Sequence, residues 1–255
     1  MASGLPPPLA LAYHGVADVP LRQDPHGLFV GPEDLRRQIA KLREWGYRLV
    51  SFGELAERAS ASDAAGLASL TFDDGFEDNL ETLAPLLRDE GATATVFVVS
   101  GWLGKPHPVA PWSRILSADD LRELRGHGIE VGAHSSTHAD LSELPYERCL
   151  EELAESKAKL ASVLGEDVLV AAYPYGRASA DAIRACRDAG FVSACSTTAR
   201  GSWADRHNLP RQDMENGASL LGLRLKRDDR YEQLMRFAPA RAARRMSRQV
   251  AAARR

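Results

Sequence analysis

Short apolar runs alternate with helical patterns along most of this chain, and that alternation limits the fold more than any other feature. Strands separated by helices are joined by crossovers, and crossovers build parallel sheets covered on both faces. Leu9–Tyr13, Leu67–Phe72 and residues 47–52, 93–99, 129–133, 168–173 and 191–197 read as strands. Gly31-Pro32-Glu33-Asp34 opens a helix with proline near its first position and acids in its first turn, and Leu35, Ile39 and Leu42 share one face. Residues 77–90, a segment capped by Ser117 and stopped at Gly126-His127-Gly128, and residues 145–164 and 179–190 read as further helices. About seven parallel strands with helices between most of them suggest an α/β barrel rather than a short open sheet. A chain of 255 residues could hold one or two domains. No internal repeat or linker interrupts it before about residue 216, so one barrel is expected over residues 9–215.

Charge separates the remainder from that barrel. The net charge is −3, yet residues 223–255 carry 11 Lys/Arg against 3 Asp/Glu. Residues 216–255 therefore read as a basic tail. Leu234, Phe237 and Arg241 have helical spacing within it, and it is either a solvated helix or a contact for an anionic membrane surface or an acidic partner. No aromatic platform is interleaved with the arginines, so a nucleic-acid partner is not expected. Cys149, Cys186 and Cys195 form no CxxC pair and leave one over, which argues against a disulfide framework or a thiolate metal site. The N-terminus lacks a basic region and has only a five-residue apolar run, and no stretch approaches the roughly 18 apolar residues of a spanning helix. A cytoplasmic protein is the expectation.

The unusual polar residues cluster by position. Asp73-Asp74, His134 and Tyr173-Pro174-Tyr175-Gly176 each follow the end of a predicted strand, as does His14. In parallel α/β folds that edge is where ligands bind. Taken singly, the aspartates could be a solvated turn, His134-Ser135-Ser136-Thr137-His138 a polar loop and His14 a core residue. Together, Asp74, His134 and His138 offer one carboxylate and two imidazoles, a three-ligand set suited to Zn²⁺ or a similar ion with a position left open. Asp73 could then take a proton from water, and His14 could protonate a leaving group. That is the chemistry of metal-assisted ester or amide hydrolysis.

These residues resemble the motifs of the polysaccharide deacetylases, the NodB-like carbohydrate esterase family 4. Thr71-Phe72-Asp73-Asp74-Gly75 resembles the first motif, in which the first aspartate is the base and the second a metal ligand. His134-Ser135-Ser136-Thr137-His138 is similar to the second, with both histidines as ligands. Tyr173-Pro174-Tyr175-Gly176 resembles the third, which implies that the Tyr175 backbone N–H faces the oxyanion. The resemblance implies a distorted (β/α) barrel of about seven strands, one divalent ion (zinc first, then Co, Ni, Fe or Mn), an N-acetylated saccharide as substrate, and removal of N-acetyl (or O-acetyl) groups from an amino sugar or a polysaccharide or glycan precursor.

Two positions depart from the pattern. The arginine that usually buttresses the catalytic aspartate is replaced by Ala172, and Arg211 in Leu209-Pro210-Arg211 is the nearest substitute. The usual late Leu-x-His motif is absent, while Leu11-Ala12-Tyr13-His14 resembles it near the N-terminus, as in a permuted subgroup acting on N-acetylglucosamine-type exopolysaccharides. Trp102, Trp112 and Trp203 lie in loop-like segments and are candidates to stack on sugar, whereas Trp45 is expected in the core. Two alternatives stay open: hydrolysis of a non-sugar amide such as a cyclic imide or formamide, and a non-catalytic, metal-containing carbohydrate-binding protein.

Overall fold

Uninterrupted apolar runs suit strands that have no solvent face, and the computed structural model places them in a closed ring. It describes residues 4–197, 203–214, 218–228 and 230–231. The ring strands are β1 (Leu9–Tyr13), β2 (Leu67–Phe72), β3 (Thr95–Val98), β4 (Glu130–Ala133), β5 (Val170–Ala172), β6 (Ser193–Ser196), β7 (Leu209–Pro210) and β8 (Gln212–Asp213). Their order is β7-β6-β5-β4-β3-β2-β1-β8, and every pair is parallel. β7 pairs with β6 and β8 pairs with β1, yet only Arg211 separates β7 from β8. The segment 209–213 therefore closes the sheet into a distorted (β/α) barrel.

Four elements differ from the sequence reading. Of residues 47–52 only Arg48–Leu49 is strand, and it pairs with the start of β2 outside the ring. At Ser51 the chain turns into α2 (Phe52–Ser60), because the Ser51 hydroxyl accepts from the Glu54 N–H and caps the helix. The ring position goes instead to 209–213, a segment with a proline and an arginine that carries no strand signal. Residues 77–90 contain one π-helical turn, Asn79–Leu83, before α3 (Ala84–Asp89). A hairpin of Pro106–His107 with Ala110–Arg114, absent from the sequence reading, follows β3.

Helices α1 (Pro32–Glu44), α4 (Ala118–Gly126), α5 (Tyr146–Leu164) and α6 (Ala180–Asp188) cover the ring. Leu35, Ile39 and Leu42 of α1 are fully buried, each contributing about 1.5–3 kcal/mol of transfer free energy. Within the segment expected as a tail, α7 (Leu220–Arg227) packs on α1 and buries Leu223; the charged stretch beyond it, with Leu234, Phe237 and Arg241, lies outside the described residues. Among the described residues no helix is long and apolar enough to cross a membrane.

One mouth of the barrel is shut. The Phe52 N–H donates to Thr95 Oγ1 (2.7 Å) and the Gly53 N–H to Glu130 Oε2 (2.9 Å), so α2 seals the ends where β3 and β4 begin. Trp203 packs against this plug, with Phe52, Ala56 and Leu55, which places it at the end opposite the carboxyl ends of the strands. The other mouth stays open, and the polar residues gather there.

Candidate active site

β1, β2, β4 and β5 run out at Tyr13, Phe72, Ala133 and Ala172, and the next residues are His14, Asp73-Asp74, His134 and the Tyr173–Gly176 turn. Parallel register brings those four exits to one rim. The Asp73 N–H donates to Tyr13 O (2.8 Å) and the His134 N–H to Val98 O (2.9 Å), which extends the ladder into the site. Beyond it the backbone is held under strain: Asp74, Ser135, His138 and Tyr175 all have φ between 57° and 71°. Four such non-glycine residues at one rim show that tertiary contacts outweigh local preference there.

The histidine loop is fixed from two sides. Glu152 of α5 is buried and accepts the N–H groups of Ser136 (3.0 Å) and Thr137 (2.8 Å) and the Thr137 hydroxyl (2.7 Å). Gly101 donates its N–H to Ser136 O (2.8 Å), and a Cβ there would stand 2.4 Å from that oxygen. The Ser135 hydroxyl accepts the His138 N–H (2.9 Å), closing a turn that aims both imidazoles at Asp74.

Asp74, His134 and His138 converge so that one donor atom from each lies within 4.8 Å of the others. Asp74 Oδ1 is 3.4 Å from His138 Nε2 and 3.7 Å from His134 Nε2. His134 Nδ1 lies 2.8 Å from Ala172 O; a carbonyl only accepts, so Nδ1 carries a proton, and in the neutral ring Nε2 is the nitrogen with a lone pair for an ion. Among the described residues, buried Asp74 Oδ1 has no hydrogen-bond partner. An orphaned carboxylate oxygen between two imidazoles suits a divalent cation. Burial pushes the His138 imidazole down to about 4, helped by the neighbouring His134, so it is neutral and able to ligate at physiological pH. Burial acts to raise the Asp74 carboxyl, but the His107 hydrogen bond and the surrounding histidines outweigh it and keep it below the usual range.

His138 also predicts an acid limit. Unfolded histidine takes up its proton near pH 6.5, whereas the folded residue resists until about 4. The unfolded state thus binds more protons in that window, and stability rises with pH across it. Metal-free protein should lose on the order of 3 kcal/mol from this group as pH falls from about 6.5 to 4. Denaturant titrations of the His138→Gln variant should show a flatter slope over the same window, and an unchanged slope would remove the explanation.

Asp73 is held differently. Arg211, fully buried, donates Nη1–H to Asp73 Oδ1 (2.7 Å) and Nη2–H to Oδ2 (2.9 Å), with Nη1 also 2.9 Å from Thr71 Oγ1. This fork occupies both carboxylate oxygens from one side. Burial acts to raise the Asp73 carboxyl; the charge and hydrogen bonds of Arg211, with His134 and His14, reverse that and keep it ionised. The Arg211 guanidinium rises in turn, burial notwithstanding, because Asp73 is its neighbour.

His14, Asp73, Asp74, His134, His138 and Tyr175 line one cavity of about 540 Å³. His14 is half-buried, and its charge bears on Asp73, Asp74 and Asp213. Tyr175 is 60% exposed, with its ring 4.7 Å from that of His138. Trp102 lies 5.0 Å from the His138 ring. Trp112 is half-exposed on the hairpin and stands 5.0 Å from Phe29. Trp203 packs at the plugged mouth and does not line this cavity, and Trp45 is only partly buried, under Arg227. The sequence reading missed His107, on the hairpin, and Glu152. An acidic residue on the buried face of α5 is the one signal that pointed to the latter.

Comparison with known proteins agrees with this architecture. A family model described as polysaccharide deacetylase matches residues 61–194. The Bacillus subtilis (strain 168) protein YxkH, named for the polysaccharide deacetylases, is 25% identical over 191 residues, 73% of this chain and 63% of its own. The chain thus spans less than two thirds of that relative. Among solved structures, the Streptococcus pyogenes deacetylase PplD in complex with acetate aligns with a TM-score of 0.73 and 23% identity, covering 88% of this chain and 97% of that one. IcaB from Ammonifex degensii gives 0.74 and 21%, again over 88% and 97%. At these identities the two structures bear on the fold.

Proposed function

The chain belongs to the polysaccharide deacetylase family, and from that premise we propose that it is a metal-dependent hydrolase removing acetyl groups from an N-acetylated amino sugar or glycan. One observation carries the reading: a carboxylate clamped ionised by a buried arginine lies beside a second carboxylate whose free oxygen faces the Nε2 atoms of two imidazoles. Asp74, His134 and His138 would hold the ion. Zinc suits this mixed nitrogen and oxygen set, with cobalt, nickel, iron or manganese as substitutes, and when bound it would polarise the acetyl carbonyl and acidify water.

The chain's own groups do the rest. Asp73 accepts the proton of the attacking water, and its fork to Arg211 keeps it both oriented and unprotonated. The Tyr175 N–H is assigned to the oxygen on which negative charge develops; one such donor is typically worth about 10²–10³ in turnover. His14 donates a proton to the nitrogen as its bond to the acetyl carbon breaks, leaving acetate and a free amine. This use of a histidine after β1 is the permuted arrangement, and Arg211 takes the buttressing place that Ala172 leaves vacant.

Acetate release from N-acetylated chito-oligosaccharides, with and without chelator, tests the proposal. Chelator-sensitive release is expected; tight saccharide binding without release under any of the five metals would make the chain a binding protein. His14→Ala should keep its metal and slow by about 10²–10⁴-fold. An unchanged rate would return His14 to a packing role.

A further inference from the structure

His107 lies in none of the recurring sequence motifs, yet it is buried against the candidate metal centre. Its ring stacks on Phe76 with centroids 4.5 Å apart and stands edge-on to Trp102 at 5.3 Å. Nδ1 faces the N–H groups of Val109 (3.3 Å) and Ala110 (3.2 Å) across the hairpin turn. Backbone amides can only donate, so Nδ1 is the acceptor and the ring proton resides on Nε2. Nε2 lies 3.1 Å from Asp74 Oδ2 and therefore donates to it. One oxygen of Asp74 is thereby occupied, and the other is the orphan that faces His134 and His138.

We propose that His107 is a positioning residue for the metal ligand Asp74. The hairpin fixes its tautomer, the tautomer fixes the donor, and the donor restrains the carboxylate so that Oδ1 alone is presented to the cation. His107 is not itself a ligand, since the nitrogen directed at the site carries the proton. Its consequence is affinity: an unrestrained carboxylate would lose orientation entropy on binding and could turn both oxygens away. The inference rests on the metal-centre reading above.

Zinc affinity, measured by competition with a chromophoric chelator on the full chain, tests it. The unsubstituted protein should bind one Zn²⁺, and His134→Ala should lose it. His107→Phe keeps the ring's volume but not the donor, and should bind 10–100-fold more weakly, the usual range for second-sphere changes. His107→Gln places an amide donor near the same point and should stay within a few-fold of the parent. If His107→Phe does not fold, His107→Asn takes its place, being too short to reach Asp74. Melting of the zinc-free proteins is read alongside. A lower melting temperature with unchanged zinc affinity, or His107→Gln as weak as the variants lacking the donor, would overturn the proposal alone. Absence of zinc binding by the unsubstituted protein would overturn the metal centre and this proposal together.

Discussion

Asp73→Asn is expected to lower acetate release by about 10²–10⁴-fold while the protein keeps one metal ion per chain. The amide fills the same space and can still meet Arg211 through its carbonyl oxygen, but it cannot accept a proton from water. Asp74, His134 and His138 are untouched by the change. His134→Ala is the counterpart: it removes one imidazole nitrogen from the three-donor set, so metal and turnover should be lost together. Elemental analysis beside initial rates separates the two cases. A variant at Asp73 with near-normal turnover would sink its role as base; one that lost its metal would show that it acts as a ligand.

Arg211→Met should destabilise the fold by about 3–5 kcal/mol, the range for removing one partner of a buried ion pair. Asp73 is almost wholly buried, and without the fork its charge would face the barrel interior uncompensated. The balance that keeps its carboxyl low would tip toward burial, so Asp73 would hold its proton to higher pH. Surviving activity should therefore show an acid limb displaced upward. The double variant Asp73→Asn/Arg211→Met should be less destabilised than the two single effects added together, because the stranded charge is gone. Denaturant unfolding and a pH–rate profile read both effects. A loss under about 1 kcal/mol with an unmoved acid limb would mean that the pair is incidental.

Much of the barrel was legible because strands buried on both faces must be continuous apolar runs, and five of the runs read as strands became ring strands from β2 to β6, with Leu9–Tyr13 as β1. Residues 47–52 misled because Tyr47, Leu49, Val50 and Phe52 make a short apolar run of strand length, whereas the Ser51 cap diverts the chain into α2. The segment 209–213 was silent for the opposite reason. Its strand character comes from neighbours on both sides and not from its own residues, one of which is proline and another an arginine buried against Asp73.

Sequence alone determined which donor types stand after which strands, because exit from a parallel strand has a fixed end and the residues there are simply the next in the chain. Asp73, Asp74, His134 and His14 could be placed at one rim on that ground. Which group meets which oxygen was decided only in three dimensions. Arg211 reaches Asp73 across 138 positions, and does so because 209–213 is the strand that closes the ring. His107 reaches Asp74 across 33, from a hairpin with no periodic signal. Hydrogen bonds of that kind depend on side-chain direction to a few tenths of an ångström. Hydrophobic periodicity states which face is buried, and is silent on where a single proton or lone pair will point.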